Sequence, residues 1–207
     1  NSLTTNTTFL NNIGANLDVD GDTIGASPNP GAGSGINFNS NLPNFTGKHP
    51  CLLTGENKLI EDLRGKIVCS TGVFNNDSVE EKSKPTIDES LPVVELAKAS
   101  KSKTAFGVIS AINSEIDNIY EINSVGEGGM WVSNAAGQLE NGDYICSSNI
   151  PGYGMKQDDD ILRNYTVAKV TQDCLFDLDS EDYDCKEVEH DGTIYKVAFV
   201  GCTYHCG

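Results

Sequence analysis

From Asn141 to Lys156 the chain reads Asn-Gly-Asp-Tyr-Ile-Cys-Ser-Ser-Asn-Ile-Pro-Gly-Tyr-Gly-Met-Lys, and little except short strands and tight turns satisfies it. Asn141-Gly142 is a strong hairpin signal, because both central positions of a type I′ turn need positive φ. Tyr144 and Cys146 then alternate with Ile145 and Ser147, as on a strand with two different faces. Pro151, Gly152 and Gly154 build a second turn. The strongest strands elsewhere are Gly129–Ser133, which carries Trp131, and Tyr165–Thr171. The expectation is an all-β body laid out as a meander of short strands.

The rest of the chain agrees. Strands are expected at Lys66–Ser70, Leu91–Ala97, Thr104–Ser110, Ile119–Ser124 and Thr193–Gly201. The last of these and the segment Asn164–Asp173 should form a hairpin around the acidic arm Asp177–Asp191. Trp131, Val132, Val108 and Val167 are the candidate core residues. With 21 Gly among 207 residues, turns dominate over helices. Val79–Ser83 is too short and polar for a stable helix.

Residues 1–46 differ from everything after them. They contain no Lys or Arg, and apolar residues come in brief pulses: Phe9-Leu10, Ile13, Leu17, Val19, Ile24. Such a segment buries too little to fold alone. It suits either a fibrous stalk, in which several copies share one narrow core, or a flexible linker. Residues 2–25 are assigned to the stalk and 26–40, with Ser27–Gly35 at their start, to a linker. The domain plan is therefore a stalk and linker over 1–46 and a compact antiparallel β-barrel or sandwich-like knob over 47–207.

A formal charge of −16 opposes nucleic acid and anionic membrane surfaces as partners. No apolar run approaches the ~20 residues that span a bilayer as a helix. The start at Asn1 fits a fragment or a processed product equally well. Four glycosylation sequons begin at Asn6, Asn44, Asn76 and Asn164, which permits modification without requiring it. Of seven cysteines, Cys174 and Cys185 flank the acidic arm and Cys202 and Cys206 lie near the C-terminus. These four are the candidate disulfide formers, against the alternative of buried free thiols.

Few residues invite chemistry. Asp18-Val-Asp-Gly-Asp22 begins like a calcium loop, but Thr23 and Asn29 stand where that loop needs Gly and Glu. A solvated turn is the simpler reading. The acidic arm is a second candidate cation site, and without a cation or a Cys174–Cys185 bridge its charges should keep it mobile. Cys202, His205 and Cys206 fall short of a four-ligand zinc set. No cofactor is therefore expected, with calcium as the one exception to test. Glu61-Asp62 is the only acid pair beside a turn, and a carboxylate dyad can drive peptide cleavage; the alternative is a solvated surface turn.

Taken in order, Glu61-Asp-Leu-Arg-Gly-Lys-Ile-Val68, Phe106-Gly-Val-Ile-Ser110, Gly142-Asp-Tyr-Ile-Cys-Ser-Ser148 and Pro151-Gly-Tyr-Gly-Met-Lys156 resemble the C-terminal β-domains of viral and phage tailspikes and fibres. They are most similar to the autoproteolytic intramolecular-chaperone domain of phage neck appendages, over residues 47–206. The resemblance implies a homotrimeric all-β tip that caps a fibre at a virion surface or in the extracellular space. It also implies a catalytic role for Glu61, with Asp62, in any self-cleaving member. Self-cleaving members carry an aromatic, acid-rich stretch before that turn, whereas this chain has Pro43-Asn-Phe-Thr-Gly-Lys-His-Pro50 there; the expectation is a tip that stays attached. Its partners would be two further copies of the chain and a host receptor or glycan. That receptor would be met by the acidic arm and by Gly152, Tyr153 and Gly154, with Trp131 or Tyr153 as a stacking platform.

Overall fold

The computed structural model describes residues 18–20 and 23–25 as backbone, and residues 47–55, 63–75, 84–85, 90–112 and 118–206. The chain divides into two units, Asn1–Phe45 and Thr46–Gly207. In the first, β1 (Asp18–Asp20) and β2 (Thr23–Gly25) pair as a short antiparallel ladder. The remaining stalk and linker positions lie outside the described residues. No α-helix occurs among the described residues, and a single 3-10 turn spans Asn134–Ala136.

The second unit is built from two rings of strand. The first ring takes β3 (Lys48–Leu52), β4 (Ile67–Phe74), β5 (Pro92–Leu96), β6 (Ala105–Ile112) and β7 (Ile119–Asn123) in the order β3-β7-β6-β4-β5. A parallel bridge from Leu53 to Val94 joins the two ends, and the Thr54 amide donates to the Val94 carbonyl at 2.8 Å. Closure removes edges that would otherwise offer unpaired backbone groups. Each strand sends at least one side chain inward: Cys51, Val68, Val94, Ile109, and Tyr120 with Ile122. Leu63 packs in the same cluster.

The second ring uses β8 (Val125–Ser133), β9 (Tyr144–Ser147), β10 (Gly154–Lys156), β11 (Thr166–Val170) and β13 (Thr193–His205). Its order is β11-β9-β10-β8-β13, and β13 pairs back onto β11. β12 (Cys185–His190) continues the sheet on the free length of β13. Alternation along β8 and β13 is strict. Met130, Val132, Ala198, Val200, Cys202 and Tyr204 join the main core, while Trp131 and Phe199 take the other face.

The rings meet along one seam. In β4, Val68 fills the first ring while Ile67 and Cys69 join the core of the second; Ile109 and Val108 divide in the same way on β6. Backbone hydrogen bonds cross the seam as well. The Ile67 amide donates to Gly152, Gly152 donates to Ala97, and Trp131 donates to Gly65, at 2.8–2.9 Å. Ser147 adds side-chain bonds: its hydroxyl donates to the Ala99 carbonyl at 2.7 Å and accepts from the Ser102 amide at 2.9 Å. Gly152 has φ of 78°, and a Cβ there would lie 2.9 Å from the Cβ of Lys66. The Asn141–Lys156 stretch is thus the joint between the rings.

Several expectations change in detail. The strands are not a meander, because β10 runs parallel to β8 and lies between it and β9. At Asn141-Gly142 only Gly142 has positive φ, 101°, as in a type II turn rather than type I′. That turn is held by the Glu140 amide donating to the Asp143 carboxylate at 2.7 Å. The returning part of the acidic arm, Cys185–His190, is strand β12. Val79–Ser83 lies outside the described residues. Val108, Val132 and Val167 are each no more than 1 % exposed, whereas Trp131 is half-buried on an outer face.

Because Ile67 belongs to one ring and is buried by the other, Ile67→Ala should cost about 2–5 kcal/mol of unfolding free energy. Urea unfolding should remain a single transition with a lower midpoint. Two resolved transitions in the parent chain would show that the rings fold separately.

Candidate functional site

Outward-facing Trp131 on β8 stands opposite Phe199 on β13 in the ladder, which sets their rings edge to face at 5.5 Å. Tyr153, from the turn after β9, approaches Trp131 at 6.5 Å. Two lysines complete the group. The ammonium of Lys66 lies 2.9 Å from the centroid of the Tyr153 ring, and that of Lys186, from β12, lies 4.5 Å from the Trp131 ring. Ammonium groups are drawn to aromatic faces by the ring quadrupole, more strongly once desolvated, and Lys66 is only 6 % exposed. Gly65 lets the rings approach: a Cβ there would come within 2.7 Å of Phe199 and 2.9 Å of Trp131.

This arrangement relocates the accessible aromatic surface. Tyr153 is 8 % exposed, and Gly152 and Gly154 are buried at the seam. Lys186 occupies one approach to Trp131. Phe199, 37 % exposed, presents the most open ring of the group. It walls a polar cavity of about 380 Å³ with Gln172, Ser180, Tyr183 and Asp184. Lys66, Lys186 and Phe199 are the three members that the strand pattern alone does not single out.

The acidic arm is anchored. Phe176, with φ of 57° and 2 % exposure, plugs into the main core. The Tyr183 hydroxyl accepts from the amides of Leu175 and Asp177, each at 3.2 Å. Mobility driven by charge repulsion is therefore opposed by one apolar plug and one two-armed hydrogen bond. A second acidic recess of about 370 Å³ lies by Asp143, Lys156 and Asp158–Asp160. Its charges are partly matched: Lys156 pairs with Asp143 at 2.7 Å, Lys101 with Asp158 at 2.6 Å, and Arg163 with Asp159 at 2.8 Å. Among the described residues no group of three or more His, Cys, Asp or Glu side chains is placed to hold a metal ion.

Glu61 and Asp62, and the side chains of the Asp18–Asp22 stretch, lie outside the described residues. His49 contacts the Ser124 hydroxyl at 3.1 Å and the Phe106 ring at 5.5 Å, and burial lowers its pKa. His205 meets Thr203 at 3.2 Å and the edge of Tyr144. Asn164, the sequon asparagine among the described residues, is exposed in a turn.

All seven cysteines are free thiols in this structure. Burial pushes Cys51, Cys202 and Cys206 up to about 12 and Cys146 to about 11. Thiolate is the reactive form, so these four are inert near neutral pH. Cys202 and Cys206 lie four residues apart along an extended course, about 13 Å, too far to bond to each other. No protein-family model matches the chain, and no curated protein shows significant sequence similarity to it.

The thiols carry a stability consequence. Burial holds Cys51, Cys146, Cys202 and Cys206 neutral in the fold, while an unfolded thiol ionises near pH 8.5. Their contribution is complete below about pH 8.5 and is lost as pH rises toward the folded values. Thermal melting should be nearly flat from pH 7 to 8.5 and fall steadily above it; a midpoint unchanged at pH 11 would contradict this assignment.

Proposed function

We propose that the chain is the distal part of a homotrimeric surface fibre of a virion or virus-like particle, with residues 47–207 as the knob that registers three chains. The observation that carries this reading is the pairing of two unlike parts. A polar first quarter without Lys or Arg precedes a β body whose two rings are filled from its own strands across a shared seam. A thin shared shaft has poor register of its own. A self-sufficient knob gathers three chains at high effective concentration and covers the strand ends of the shaft. Exposed apolar side chains on the body, Ile161, Leu162 and Ile194 at 56–65 % exposure, offer material for subunit contacts. Size-exclusion chromatography with light scattering should return the mass of three 22.1 kDa chains. A compact monomer at micromolar concentration would overturn the proposal.

A second reading, a glycan-binding tip, is favoured by Phe199 beside the Gln172–Asp184 cavity. Sugar rings stack their C–H faces on aromatic rings while amides and carboxylates take their hydroxyls. The negative wall favours neutral over acidic sugars. On a glycan array, Phe199→Ala should abolish binding of neutral glycans while leaving the melting temperature within a few degrees of the parent. Equal binding by parent and variant would remove this site from consideration.

A further inference from the structure

The loop between β11 and β12 leaves and rejoins one edge of β13. On the way out, the Thr171 amide donates to the Gly201 carbonyl at 3.0 Å; on the way back, the Phe199 amide donates to the Asp184 carbonyl at 2.9 Å. Two residues of β13 separate those points, about 7 Å. Cys174 and Cys185 lie just inside the outgoing limb and just beyond the returning one. Tyr183, two residues before Cys185, bonds the amide of Leu175, the residue after Cys174, and so draws the limbs together. Cys174 is fully buried in the main core and Cys185 packs against the same cluster.

We infer that Cys174 and Cys185 are an oxidisable pair that closes into a disulfide across the neck of the acidic loop. Each thiol also senses burial, and Cys185 senses the charge of Cys174, as neighbours in one cluster do. Cys185 is the half-buried member and reacts first. With glutathione disulfide as oxidant, its thiolate attacks one sulfur, the glutathione S–S bond breaks, and one glutathione thiolate leaves. The Cys174 thiolate then attacks the Cys185 sulfur of the mixed disulfide and expels the second glutathione. The two cysteines lose two protons and two electrons, and two glutathione thiols are formed. The closed bond would hold together five like charges, Asp177, Asp179, Glu181, Asp182 and Asp184, that repel one another. Cys51 and Cys146 have no such neck to span.

The full chain, incubated with glutathione disulfide at mildly alkaline pH, is unfolded, alkylated and digested with trypsin without reductant. Val170–Lys186 is released as one peptide, because Lys169 and Lys186 bound it and no Lys or Arg lies between. The expected product carries no alkyl group and is lighter by two hydrogens; after reduction it takes two alkyl groups. Cys185→Ser, which alters only the half-buried partner, should yield the peptide with Cys174 alkylated. Recovery of the parent peptide with both cysteines alkylated, or linked to any other cysteine, would overturn the inference.

Discussion

The seam between the two rings is the constraint on which the rest depends. Two closed strand rings of this size have little interior each, and the smaller core holds seven buried residues among those described. Burial at that scale stabilises a small domain marginally at best. By alternating inward and outward residues on β4 and β6, the chain uses the same two strands to fill one ring and to cover the other. Ile67, Cys69 and Val108 therefore belong to both. The hydrogen bonds at Gly152 matter for a related reason: amides and carbonyls buried at a seam are costly if left unmade.

That seam also explains why the most organised stretch of sequence is largely buried. Ser147 joins the rings, Ser148 bonds its own turn through the Tyr153 carbonyl at 2.8 Å, and Gly152 admits the side-chain stem of Lys66. Tyr153 then lies under the Lys66 ammonium. Signals of tight backbone geometry serve assembly of the fold here, and Phe199 is the most exposed ring of the aromatic group.

Much of the strand layout was legible in the sequence, because the short apolar runs at Ile67–Cys69, Val108–Ile109 and Met130–Val132 are a local property of strands covered on both faces. Val108, Val132 and Val167 were legible as core for the same reason. Strand order was not. The parallel contact of β10 with β8 and the return of β13 to β11 are long-range pairings with no short-range signature. Burial of Lys66 runs against its residue type and depends on two rings from distant strands. Gly152-Tyr153-Gly154 was legible as a turn, but glycine marks both exposed turns and close backbone approach, and only the fold distinguishes them. Phe176 stands at the head of a run of acids, where nothing in the pattern marks it as the plug that anchors the arm.

Native-state hydrogen exchange at the seam amides of Ile67, Trp131 and Gly152 bears most directly on whether the rings are one body. If they are, these amides exchange only through global unfolding, with the same free energy as the innermost amides of β4 and β13. Exchange at the seam through a much cheaper opening, while both rings stay protected, would mean that the rings are independent and that the shared core does not govern the fold.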